Sequence, residues 1–180
     1  MRNVRAVVTA VVLVLAVTFQ LSALPHIAIA GVTCDLALLA VIGFALARGP
    51  EFGALTGFAG GLLLDLAPPA DHTAGRWALA LTLAGYLGGL IRREGATPIT
   101  PWQVGISVLL CTSLAHIVFA ATGALLRDPN VERADVGARL GIAIGYDLLA
   151  AIVVVPLVMW GIGRLESATD RRGASGRLPL

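Results

Sequence analysis

From Trp102 to Leu126 the chain runs through 25 residues without one Asp, Glu, Lys or Arg, and from Val136 to Ile162 only Arg139 and Asp147 interrupt a second such run. A helix needs about 20 mostly apolar residues to cross about 30 Å of hydrocarbon. Both stretches meet that length, whereas a helix on a water-soluble core keeps a polar face opposite its apolar stripe. Four further apolar segments precede them: Val4 to Leu24, Cys34 to Ala47, Phe52 to Ala67 and Trp77 to Ile91. The last three are near or below spanning length, so each is read as a short span, a packed core helix or a re-entrant piece. The count is six spans, with five as the alternative. Composition agrees: 57% of the 180 residues are hydrophobic and 13% charged, against roughly half and a quarter in a soluble domain. The expected fold class is therefore all-α and polytopic, with residues 1–163 forming a six-helix transmembrane domain and 164–180 a disordered cytoplasmic tail.

All thirteen basic residues are arginine, and they scatter through short connectors and termini. A net charge of +2 so distributed is no nucleic-acid footprint. Alternating six spans from a cytoplasmic start places nine arginines on one side (Arg2, Arg5, Arg48, Arg92, Arg93, Arg164, Arg171, Arg172, Arg177) and four on the other (Arg76, Arg127, Arg133, Arg139). The positive-inside rule then puts both termini in the cytoplasm. A second reading of the start is a signal peptide, with Arg2 and Arg5 before an apolar run and Ala28-Ile29-Ala30 as a small-residue cleavage site. The run exceeds the usual core of about 7 to 15 residues, which favours a span. Cys34 and Cys111 lie in or beside apolar segments, where a small buried hydrophobe is the expected role. Their number and spacing suggest neither a disulfide framework nor a metal site, and no cofactor is expected.

Glycine spacing is the next constraint. Gly53, Gly57 and Gly61 stand four apart on one helical face, Gly137, Gly141 and Gly145 repeat the device in the last segment, and Gly85 and Gly89 supply a pair in the fourth. Such stripes admit a neighbouring backbone closely, which matters in lipid because packing there must come from shape. They are expected to serve helix packing within the chain or contact with a partner. An Ala6–Ala10 pair in the first segment carries less weight, since any alanine-rich helix produces one.

Asp65 lies four residues beyond Gly61 and continues that face inward. Asp147 falls well inside the last segment, where an ionisable group costs about 2.5 to 3.5 kcal/mol on insertion scales and needs a partner, a wet cavity or a proton. A structural hydrogen bond and a functional role both stay open for it. Asp35 reads as a helix N-terminal charge, and His116 as a neutral, hydrogen-bonded histidine without a second ligand at metal spacing. Catalysis is not expected. Tyr146-Asp147 with a second aspartate is reminiscent of intramembrane aspartyl proteases, but Asp65 follows Leu63-Leu64 rather than Gly-x-Gly. The zinc helix His-Glu-x-x-His and the nucleophile turn Gly-x-Ser-x-Gly are missing, for Gly105-Ile106-Ser107 lacks the closing glycine.

The stretch from Cys34 to Ile91 resembles the rod shape-determining protein MreD family of bacterial inner-membrane proteins. The residues that carry the likeness are Asp35 opening the second segment before Leu36, Leu38 and Leu39, then Arg48-Gly49-Pro50, Gly53 and Gly57-Phe58-Ala59-Gly60-Gly61-Leu62-Leu63-Leu64-Asp65. Gly75-Arg76-Trp77-Ala78-Leu79 and Gly85-Tyr86-Leu87 follow, and Tyr146 and Pro156-Leu157 match in the last segment. Cys34 stands where the family typically has a proline. The resemblance implies a multi-pass protein of the bacterial cytoplasmic membrane that binds MreC. It would scaffold the elongation complex linking MreB filaments to the peptidoglycan polymerase RodA and its partner transpeptidase, in support of cell shape and lateral wall synthesis. It also implies a fold similar to the substrate-binding components of energy-coupling-factor vitamin transporters, which makes transport the alternative function. Asp71, His72 and Trp77 are the clustered candidates for a ligand pocket on that reading.

Overall fold

The computed structural model describes residues 2–28, 31–68, 73–92, 100–128 and 136–175, with side chains over 6–28, 31–68, 73–92, 100–128 and 137–164. The described residues form an all-α structure. Its helices are α1 (Arg2–Ser22), α2 (Leu36–Arg48), α3 (Pro50–Leu66), α4 (Arg76–Ile91), α5 (Pro101–Leu125) and α6 (Val136–Ser175), with a 3-10 turn at Leu24–Ile27 after α1.

The shortest helix is the centre. Every residue of α2 from Ala37 to Leu46 is buried, as expected for a segment apolar on all sides. Helices α1, α3, α4, α5 and α6 all pack against it. Its 13 residues rise only about 20 Å, a length that suffices because its neighbours, not solvent, surround it.

Local chemistry explains the boundaries. Gly49, at φ +93°, makes the one-residue corner between α2 and α3, and its N–H closes back on the Ala45 carbonyl at 2.7 Å. Pro50 then opens α3, where its missing N–H and fixed φ cost nothing. Thr100 and Gln103 form a capping box at the start of α5, again with proline at the first helical position. At the far end Arg127 takes a left-handed φ of 55°, and the N–H of Asp128 returns to the Gly123 carbonyl at 2.9 Å.

α6 departs from the expected organisation. Its helix passes Arg164 and continues to Ser175, across most of the expected disordered tail. No proline interrupts residues 164–175, and Arg, Leu, Glu and Ala there are good helix formers. At 40 residues it rises about 60 Å. Among the described residues, Pro101–Leu125 and Gly137–Arg164 are the two stretches long and apolar enough to cross a membrane.

Much of the surface is apolar, and four charged residues lie in the interior. Leu55, Phe58, Leu62 and Leu66 line the outer face of α3, and Leu149, Ile152, Val153 and Leu157 that of α6, Leu149 at 70% exposure. Asp35, Asp65, Arg76 and Asp147 are buried. In a water-soluble protein such charged residues are almost never fully buried unless paired.

Candidate functional site

Two features stand out: a glycine-sealed helix hairpin, and a group of buried polar side chains at one end of the bundle.

α3 and α4 form the closest helix pair. A Cβ added at Gly53 would strike the Gly85 carbonyl, at Gly57 the Leu81 carbonyl, at Gly61 the Trp77 carbonyl, and at Gly89 the backbone of Pro50. The contact is backbone on backbone along the whole hairpin, so no other residue fits these positions without moving a helix. Gly53, Gly57, Gly61, Gly85 and Gly89 thus all lie against the backbone of a neighbouring helix of the same chain.

The second stripe behaves differently. Gly137, Gly141 and Gly145 are exposed, and a Cβ at Gly141 or Gly145 would meet nothing within 4 Å. Packing of this stripe within the chain is thus not what the structure has. α6 packs on α2 and α5 instead, burying Ala143, Asp147, Ala151 and Val155. Gly141 and Gly145 each stand two residues before a member of that buried row, about 200° round the helix. Spacing of four defines a face but not the direction it points. Ala6 and Ala10 likewise face outward.

The polar group gathers where α1 ends, α2 begins, α3 ends, α4 begins and α5 ends. Asp65, 2% exposed, leaves α3 at its last turn and caps α4. Its Oδ1 accepts from the Trp77 N–H at 3.1 Å, and its Oδ2 from the N–H groups of Gly75 and Ala78, both at 2.9 Å. Gly75, in the left-handed region at φ +97°, has no side chain to cap with, so the cap comes from the neighbouring helix. A carboxylate here also faces the positive end of the α4 dipole. Next to it Arg76, buried, pairs with Asp128, donates to the Phe119 carbonyl at 2.9 Å and lies 4.0 Å from the Phe119 ring centroid. Trp77 stacks on the same ring at 4.4 Å and meets His116 edge-on at 6.1 Å. Asp71 and His72, the other members of the expected pocket cluster, lie outside the described residues, as do Ile29 and Ala30 of the cleavage-site reading.

Asp35 and Asp147 are brought together from 112 residues apart. The Asp35 N–H donates to Asp147 Oδ1 at 2.6 Å, and Asp35 Oδ1 caps α2 by accepting the Leu38 N–H at 3.0 Å. Gln20 of α1 completes the cap by accepting the Ala37 N–H at 2.9 Å. Tyr146, beside Asp147, donates to the Ile27 carbonyl at 3.1 Å, tying α6 to the α1–α2 connector a second time. His116 Nδ1 donates to the Thr112 carbonyl at 2.9 Å. Among the described residues no group of three or more His, Cys, Asp or Glu could hold a metal ion. Cys111 packs against Gly88 as a buried hydrophobe, and both cysteines are free.

Asp35, Asp65, His116 and Asp147 were all legible as candidates. Gln20, Thr112 and Asp128 were not, and Arg76 entered only through the topology and the family resemblance. The available signal was Thr112 and His116 four residues apart in a run without a charged residue. Compared with family models, curated proteins and solved structures, the chain shows no match.

Proposed function

We infer that the chain is a helix-packing scaffold of a membrane, with six spans and both termini on the cytoplasmic side. Apolar exposed faces with buried, capped charges are the arrangement that lipid as solvent demands. On this topology Asp35, Asp65, Arg76, Asp128 and Asp147 all belong to the outer half, and Arg48, Arg92 and Arg164 to the cytoplasmic end.

The particular reading is an MreD-type component of the bacterial elongation complex, which binds MreC and works beside MreB, RodA and the partner transpeptidase. The observation that carries it is the hairpin: the residues of the resemblance, Gly53, Gly57, Gly61, Asp65, Gly75, Trp77 and Gly85, are those whose backbones or carboxylate join α3 to α4. A motif used for internal packing leaves the outward face of α6 to a partner and involves no chemistry of its own. Co-expression with MreC and purification in mild detergent tests the proposal. Recovery of a stoichiometric complex is expected; failure to recover MreC together with tight retention of a vitamin would overturn it in favour of transport.

A further inference from the structure

Asp35 and Asp147 present a charge problem that the scaffold role does not solve. Asp147 is fully buried and Asp35 is 4% exposed. Two ionised carboxylates so placed would repel each other in a medium that also penalises each alone. Of their four oxygens, two accept backbone N–H groups, from Asp35 and Leu38. The others, Asp35 Oδ2 and Asp147 Oδ2, are buried without a hydrogen-bond partner. Thr112 contributes a hydroxyl on a fully buried side chain that faces the Asp147 carboxylate. The site is thus the two free carboxylate oxygens, one from the α2 cap and one from α6, with the Thr112 hydroxyl of α5 beside Asp147.

We propose that Asp35 Oδ2, Asp147 Oδ2 and Thr112 Oγ1 form a buried site for one positive charge, occupied by a proton held between the two carboxyls. One proton brings the pair from two negative charges to one, which two backbone N–H groups already serve. The oxygen count selects a proton over a metal ion, since hard divalent cations take about six oxygens or more and the site offers two free carboxylate oxygens and one hydroxyl. The other titratable groups facing the pair are His116 from α5 and Cys34 from the connector; α1 contributes the uncharged Gln20. His116 as an imidazolium is the competing source of the charge.

The proton also has a mechanical consequence. The Asp35 N–H to Asp147 contact joins the start of α2 to α6, so removing the proton places two charges across that junction and loosens it.

The test is infrared spectroscopy of the full chain in nanodiscs, following the C=O stretch of protonated carboxyl groups. At neutral pH one such band per chain is expected, shifting in deuterium oxide, lost in Asp147→Asn and in Asp35→Asn, and retained in His116→Gln. It should be the same in sodium and potassium salts. No band in the wild-type chain, or a band undiminished in both aspartate variants, overturns the proposal. A band that appears only in His116→Gln assigns the charge to histidine, and one abolished by sodium assigns it to that ion; either overturns the proton as occupant. Thermal melting of each variant separates loss of the proton from loss of the fold, and the wild-type measurement needs no variant.

Discussion

Asp65 shows how one carboxylate can hold a hairpin. Its oxygens take three N–H groups from the first turn of α4, donors that would otherwise face an apolar interior where an unmade hydrogen bond is expensive. Asp65→Ala should therefore cost on the order of 2 kcal/mol, read as a lower midpoint in chemical unfolding from detergent micelles. Asp65→Asn, which keeps one acceptor oxygen, should recover part of the loss. Equal stability of wild type and Asp65→Ala would show that water or another group replaces the cap. Asp65 was readable as inward-facing because it continues the glycine row. That it serves α4 rather than its own helix was not, since Gly75, Trp77 and Ala78 reach it only when the hairpin closes.

Among the elements, the two glycine stripes make a controlled comparison. In α3 a methyl group at Gly57 would overlap the Leu81 carbonyl, and at Gly61 the Trp77 carbonyl, whereas at Gly141 and Gly145 it meets open space. Gly57→Ala should already destabilise by about 2 kcal/mol or more through forced separation of α3 and α4, and Gly57→Leu should prevent folding. Gly141→Ala should leave the fold intact or stabilise it by up to about 1 kcal/mol, because alanine is the better helix former. Melting temperatures of the four variants Gly57→Ala, Gly61→Ala, Gly141→Ala and Gly145→Ala, purified side by side, decide this. Destabilisation in both pairs alike would mean that α6 also packs through its glycines. The short segments resolve on the same principle: α2 tolerates 13 residues because five helices surround it.

For the whole molecule, the arrangement is a central apolar helix, a ring of helices with leucines outward, and charged groups gathered inside one end. The proposed topology makes that end external and the arginine-bearing end, where Arg92 donates to the Ala47 carbonyl at 2.7 Å, cytoplasmic. A green fluorescent protein fused after Leu180 should fluoresce in intact cells, and an alkaline phosphatase fused there should be inactive; the reverse pattern would overturn the topology. The hydropathy runs carry the all-α fold and the placing of the segments along the chain, because an uninterrupted apolar run is a property of each stretch taken alone. The face on which each glycine row lies is equally local, since it follows from 3.6 residues per turn. What that face meets is not local. Gly53, Gly57 and Gly61 turn toward α4 while Gly137, Gly141 and Gly145 turn away from the bundle, and Asp147 finds Asp35 rather than Asp65. Those outcomes depend on the rotation of each helix about its own axis, which is set by the side chains of neighbours far away in the sequence.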